Sequence, residues 1–363
     1  MARCSFRAIE YLAKFGFVLR PPKAYPFFQH TMKLATAAFV FASFAFTVFA
    51  NSPRSLLLEP AGPPKNKHVV LLSGDEEYRS EESLPMLAKI LGQRHGFKCT
   101  VLFALDPDGV INPDNIRSLA DADALDTADV IIMALRWRDY PDDQMKHFVD
   151  AYRRGVPIIA LRTSTHAFKN SEGRYVDFSK FGKNVLGEDW VDHWGHHNHE
   201  ATRAVIEPGA ESEPLLNGVR DIFGPTDVYE VYPPSDVKIL LRGQVLAGMK
   251  PDSPAATHSK KRRSDGVEQP VNDPMMPLVW TRLHRNDAGR ENKILVSTIG
   301  ASVDFESEDL RRLIVNGVYW ALDLPIPERA DVTYVDPFKA RYFGSTIHGY
   351  ARGMRPADYG LGK

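Results

Sequence analysis

His68-Val69-Val70-Leu71-Leu72-Ser73-Gly74 runs directly into Asp75-Glu76-Glu77-Tyr78-Arg79 and then into Ser80-Glu81-Glu82. The first stretch is an unbroken apolar run that ends on glycine, the pattern of a short strand buried on both faces. The third has helix-start chemistry. Ser80 suits an N-cap, Glu81 and Glu82 suit the positive end of a helix, and Leu84, Leu87, Ile90 and Leu91 mark one face, with Gly92 or Gly96 as the stop. Between them lies a loop of five charged or aromatic residues. A buried strand, a polar loop and an amphipathic helix make one α/β unit.

The unit repeats along the chain. Residues 97–105, 129–135 and 156–161 are further apolar strands, and residues 141–154 form a helix that opens on proline and stops before Gly155. Strands buried on both faces and alternating with helices predict a mostly parallel sheet covered on both sides. Beyond Glu200 the pattern changes to short strands at 204–206, 237–241, 277–282 and 293–299. Residues 250–274 read as a solvated insertion carrying Lys260-Lys261-Arg262-Arg263, and 309–322 as a last amphipathic helix with Leu310, Leu313, Ile314, Gly317 and Trp320 at helical spacing.

With 363 residues, 44% hydrophobic and 25% charged, the chain has apolar material for one large core. A formal net charge of −1 provides no global field, so nucleic acid is not an expected partner. The two cysteines, Cys4 and Cys99, supply neither a disulfide framework nor a cysteine zinc cluster, and Cys99 reads as a small buried hydrophobe. Met32-Lys33, the apolar run 34–49 and the end Val48-Phe49-Ala50 read as a signal peptide cut after Ala50, the competing reading being an uncleaved anchor. After cleavage no stable membrane insertion is expected. The organisation is thus an N-terminal extension and signal (1–50), a Pro-rich linker (51–66), one domain (67–325) and an irregular tail (326–363).

In an open α/β sheet, ligands bind beyond the carboxyl ends of the strands. Three strand ends here carry polar clusters: 75–79, Arg136-Trp137-Arg138-Asp139-Tyr140, and Arg162-Thr163-Ser164-Thr165-His166. Helix capping and surface ion pairs would explain one such cluster; three point to a shared site. A fourth, Asp192-His193-Trp194-Gly195-His196-His197-Asn198-His199-Glu200, holds four of the twelve histidines. His193, His196, His197 and His199 are candidate ligands for a divalent metal such as zinc, although their spacing matches no standard helical pair. On an extended segment His197 and His199 would share a face and His196 would point away. A polar substrate-binding loop is the alternative. No P-loop, no G-x-G-x-x-G after the first strand and no G-x-S-x-G elbow is present, which excludes the NTP-hydrolysing, dinucleotide-binding and lipase mechanisms those motifs serve.

These segments resemble the ThuA-like (trehalose-utilisation) family. The resemblance spans residues 67–322 and includes 72–79, Arg162-Thr163-Ser164-Thr165-His166-Ala167-Phe168, Glu213-Pro214-Leu215-Leu216-Asn217-Gly218-Val219, Asp227-Val228-Tyr229-Glu230, Pro277-Leu278-Val279-Trp280, Ser297-Thr298-Ile299-Gly300 and Asn316-Gly317-Val318-Tyr319-Trp320-Ala321. The wording from Gly187 to Glu200 resembles exported planctomycete-type members. The resemblance implies a flavodoxin-like three-layer sandwich, as in class I glutamine amidotransferases, with extra C-terminal strands. The position where those enzymes carry a nucleophilic cysteine falls at Arg162, which stays protonated and is no nucleophile. The His-x-Glu pair of those enzymes has only His199-Glu200 as a counterpart, so glutaminase activity is not implied. Ser164 and Thr165 are hydroxyl candidates with His166 as a local base.

The family link to disaccharides, through keto-sugars, implies a small-molecule sugar substrate. On that reading Glu77, His166 and His197 are the candidate catalytic residues. Tyr78, Arg79, Arg136, Trp137, Arg138, Arg162, Ser164 and Thr165 are the candidate binding residues, with Trp194 as a further stacking surface. A His or Glu base would take the acidic proton beside a sugar carbonyl, and Arg162 or Arg138 would stabilise the enolate. A non-catalytic sugar-binding protein and a metal-dependent hydrolase built on the histidine loop remain the alternatives. Arg162 is expected to face the ligand, against the alternative that it pairs with Glu76 or Glu77.

Overall fold

The hydrophobic alternation of each apolar strand sorts its side chains onto two faces, and the computed structural model shows what covers each. It describes residues 53–344 and 349–363; the expected signal segment and Cys4 lie outside them. In β2 (His68–Gly74), Val69 and Leu71 join one core with Leu84, Leu87 and Leu91 of α1 (Ser80–His95) and Leu310, Leu313 and Ile314 of α3 (Glu308–Ala321). Val70 and Leu72 join the opposite core with Met145, Phe148 and Val149 of α2 (Asp142–Arg153). Strands β4 (Val130–Leu135) and β5 (Ile158–Leu161) divide in the same way and are buried throughout. A strand covered on both faces has no room for a polar position, hence the unbroken apolar runs.

Among the described residues the main sheet has ten strands. At one edge, β1 (Ser55–Leu58) pairs antiparallel with β3 (Lys98–Phe103). Then β3, β2, β4, β5 and β14 (Glu291–Ser297) run parallel. Numbered along the chain, these five stand in the order 2-1-3-4-5, the flavodoxin-like arrangement, whose switch point lies at the carboxyl ends of β2 and β4. The expected α/β three-layer sandwich is the observed one.

The extra C-terminal strands continue the same sheet antiparallel: β13 (Met276–Arg285), β10 (Val237–Val245), β7 (Thr202–Ile206) and the short β8 (Phe223–Gly224). Off the sheet, β6 (Asp192–His193) pairs with β9 (Tyr229–Glu230), and β11 (Ser259–Lys261) with β12 (Glu268–Pro270). No helix among the described residues is long and apolar enough to cross a membrane.

The structure departs from the expectations in four places. Residues 55–58, read as linker, form an edge strand because Leu56 and Leu58 alternate into the core. The tail past residue 325 is irregular but not detached: Ala330, Val332, Phe343 and Tyr350 are buried. Ser80 does not cap α1. Arg79 holds that position in the left-handed region (φ 60°), and the Ser80 hydroxyl accepts from the Asp75 amide at 3.0 Å. The insertion at 250–274 is anchored: Lys260 Nζ donates to the His193 carbonyl, and the amides of Arg263 and Ser264 donate to Glu230.

Glu81, in the first turn of α1, is fully buried and neither carboxyl oxygen has a hydrogen-bond partner. Burial, with Glu82 adding to it, pushes its pKa up to about 8. A folded-state pKa above the unfolded value favours folding fully below the unfolded pKa of about 4.3, and the contribution is lost as pH rises through about 8. Glu81→Gln is therefore expected to raise stability at pH 8 by about 1–3 kcal/mol and to flatten the decline above pH ~5, read as urea midpoints across that range. Identical midpoints for both proteins at pH 8 would contradict this account.

Candidate functional site

The loops after β2, β4 and β5 meet at the switch point, joined by the histidine loop between β6 and β7. Each carries a non-glycine residue at positive φ close to the site: Arg79 (60°), Trp137 (45°), Arg162 (40°) and Asn198 (63°). Asparagine tolerates this region; for the other three it costs on the order of 1–2 kcal/mol each, strain that collects where a site is preorganised.

Asp227 is the hub. It lies just before β9 and is wholly buried. Its Oδ2 is 2.7 Å from His193 Nδ1, and its Oδ1 is 2.9 Å from His197 Nδ1 and 3.2 Å from Arg162 Nη2. Burial alone would raise its pKa, but the hydrogen bonds from both histidines and the charge of Arg162 hold it well below the usual carboxylate range. An ionised carboxylate only accepts, so both imidazoles donate their Nδ1–H, which leaves each Nε2 for other work. The two rings lie 4.3 Å apart, and His197 Nε2 is 3.7 Å from Glu77 Oε1. Nδ1 fixed on a carboxylate with Nε2 turned outward suits either a general base or a metal ligand.

Arg162 sits at the tight turn ending β5, as expected, but does not offer its fork to a ligand. Its guanidinium lies between the rings of Tyr78 and Tyr229, 4.4 and 4.3 Å from their centroids. Nη1 donates to the carbonyls of Asp227 (3.0 Å) and Thr298 (2.9 Å), and Nη2 to Tyr78 Oη and Asp227 Oδ1, both at 3.2 Å. All four terminal N–H bonds are thereby used within the protein. Its partner is Asp227, 65 residues on, rather than Glu76 or Glu77.

Several other candidates are braces. Arg138 is fully buried and donates to Glu76, the Pro113 carbonyl and the Arg136 carbonyl. Arg79 donates to the carbonyls of Glu76 and Gly344, tying the tail to the site. The Ser164 hydroxyl donates to the Met133 carbonyl and accepts from the Leu135 amide, so it does not stand as a nucleophile; the Thr165 hydroxyl is buried, 3.4 Å from the Arg162 carbonyl and 3.3 Å from Nδ1 of His166, the local base expected for it. Trp194 is buried in a separate apolar cluster, with Nε1 donating to the Val271 carbonyl, and is no stacking platform.

Glu77, Arg136 and Trp137 remain at the site: Arg136 Nη2 is 3.2 Å from Glu77 Oε2, and its guanidinium lies 4.2 Å over the Trp137 ring, which is 40% exposed. His166 fits between Trp137 and Trp190, 5.0 and 5.4 Å away. Its burial, with the charges of Arg136 and Arg162, lowers its pKa well below the usual imidazole value, so it is neutral at neutral pH.

The four loop histidines do not converge. The chain at 196–200 makes one tight turn, with the Glu200 amide donating to the His196 carbonyl at 2.9 Å, instead of an extended segment. His193 and His197, four residues apart, face Asp227. His196 faces Glu200 and His258, and His199 is exposed.

Asp227, Trp190 and Phe343, which packs 5.5 Å from His197 and 5.3 Å from Tyr78, carried no role in the sequence reading. The signals were the Asp227-Val228-Tyr229-Glu230 segment and, for Trp190, the stretch from Gly187 to Glu200, both within the resemblance. A cleft of about 820 Å³ is lined by Phe223, Met249, Val303 and Tyr342 and by none of the residues around Asp227. The buried ionic hub, not cleft size, marks the place for chemistry.

No family model matches the chain, and no curated protein matches it. Among solved structures it is similar to a ThuA-like protein of Parabacteroides merdae, at 12% identity and a TM-score of 0.47, covering 82% of this chain and 99% of that one. It is also similar to a ThuA-like protein of Bacteroides uniformis (16% identity, TM-score 0.44, 72% and 93% covered) and to the cytoplasmic protein STM3548 of Salmonella typhimurium (10%, 0.40, 70% and 98%). With identities and scores this low, the fold assignment stands on the strand order.

Proposed function

We propose that this chain is an exported ThuA-like protein that acts on carbohydrates, disaccharides or their keto derivatives, with no glutaminase activity. The observation that carries the reading is the pair of imidazoles anchored through Nδ1 on one buried carboxylate, with His197 Nε2 directed toward Glu77. A base held in one tautomer beside a second carboxylate is equipped to take a proton from carbon next to a sugar carbonyl. Trp137, Trp190 and His166 offer an aromatic wall for a pyranose ring. Arg162 at the nucleophile turn, where a cysteine would be needed, and Ser164 tied to the backbone support the exclusion of glutaminase chemistry. On this reading the partner is a small sugar, not nucleic acid or membrane.

A second reading, a metal-dependent hydrolase, is favoured by one observation: donor atoms of His193, His197 and Asp227 all lie within 4.8 Å of one another.

One experiment separates these readings. The secreted protein, its N-terminus sequenced and expected to start at Asn51, is screened by mass spectrometry against disaccharides and keto-disaccharides, with and without EDTA, beside His197→Gln. Product formed by the wild type in EDTA and lost in the variant is the expected result. Turnover abolished by EDTA supports the metal reading. Binding without product makes the protein a carbohydrate-binding accessory and overturns the proposal.

A further inference from the structure

Beyond that reading, we propose a second site: His196, Glu200 and His258 form a binding centre for a divalent transition metal, zinc by its donor set, that clamps the 250–274 insertion onto the histidine loop. Glu200 is buried. Its Oε1 is 2.8 Å from His258 Nε2, and its Oε2 is 3.2 Å from His196 Nδ1 and accepts from the His196 amide at 2.7 Å. The ligand atoms lie within 4.8 Å of one another. A tetrahedral zinc with bonds near 2.0–2.1 Å needs neighbouring ligand atoms about 3.3 Å apart, so a small side-chain adjustment admits the ion.

Among the described residues, the basic groups in ion-pair contact with Glu200 are these two imidazoles, and no Lys or Arg pairs with it. Their rings stack at 4.6 Å, a poor arrangement for two imidazolium ions and a natural one for two ligands of the same ion. His196 is largely exposed, so water can complete the coordination.

The local fold builds the pair. The single turn at 196–200 places His196 and Glu200 on one face, four residues apart, and turns His197 to the other. His258 comes from the residue before β11, two positions ahead of Lys260, which itself holds the His193 carbonyl. A metal here would fix the insertion at two points on the loop that carries His193 and His197.

The test is zinc titration of the purified protein against a chromophoric chelator, with melting followed in parallel. His258→Gln and Glu200→Gln are each expected to bind one zinc fewer than the wild type, while His193→Gln, at the other cluster, keeps this equivalent. Zinc should raise the melting temperature of the wild type but not of His258→Gln to the same extent. If Glu200→Gln does not fold, His196→Gln, an exposed substitution, takes its place. Unchanged zinc stoichiometry in His258→Gln, or an equivalent lost only in His193→Gln, overturns the proposal without touching the carbohydrate reading.

Discussion

Asp227→Asn is expected to lower folding stability at pH 7 by about 3–5 kcal/mol, because it leaves the Arg162 guanidinium buried without its ion-pair partner. Asp304, also buried, does not replace it. Its carboxylate already accepts from Thr226 Oγ1 and the amides of Thr226, Gly300 and Ala301. The same change disturbs the chemistry. An asparagine has one accepting oxygen for three donors, and its amide must face a donor. At least one imidazole then loses its anchor or moves its proton to Nε2, and the base is lost. If turnover is found, it should fall about 10²–10⁴-fold.

The pH dependence gives an internal check. Asp227 has a folded-state pKa below the unfolded value, so its stabilisation is present above about pH 4 and is lost as pH falls further. The gap between wild type and variant in denaturant midpoint should therefore narrow below pH ~4. A gap that persists unchanged at pH ~2, or no gap at pH 7, would show that Asp227 is not the hub described.

How much of this was legible in the chain depends on the range of the interaction. The parallel strands were visible because burial on both faces removes every polar position, which a run such as Val130-Ile131-Ile132-Met133-Ala134-Leu135 displays locally. β10 and β13 are longer than read because Arg242 and Gln244 in one, and His284 and Arg285 in the other, break the apolar run and hide the continuation. The positions of the polar clusters followed from topology alone. Which members face a ligand did not. Arg136 and Arg138 are two residues apart, yet one is partly exposed beside Glu77 and the other wholly enclosed by Glu76 and two carbonyls. That division is set by partners distant in sequence, such as Glu76 and Pro113, and a strand-end loop carries no periodicity to reveal it.

Arg162→Lys decides between the two roles open to that residue. The brace reading predicts a stability loss of about 2–4 kcal/mol, measured as a denaturant midpoint. A lysine at this position keeps the charge but has three donors on one atom in place of a planar fork. It cannot reach the Asp227 and Thr298 carbonyls, Tyr78 Oη and Asp227 Oδ1 together, and each buried acceptor left without a donor costs about 1–3 kcal/mol. The flat stacking between Tyr78 and Tyr229 is also lost, at about 0.5–2 kcal/mol per ring. Partial compensation by the ammonium keeps the net below the sum. Because Arg162 and Asp227 share one contact, Arg162→Lys and Asp227→Asn combined should be non-additive by about 0.5–3 kcal/mol. A single variant with an unaltered midpoint but abolished ligand binding would show that the guanidinium reaches the ligand after all, and would transfer Arg162 from the frame of the site to its contact surface.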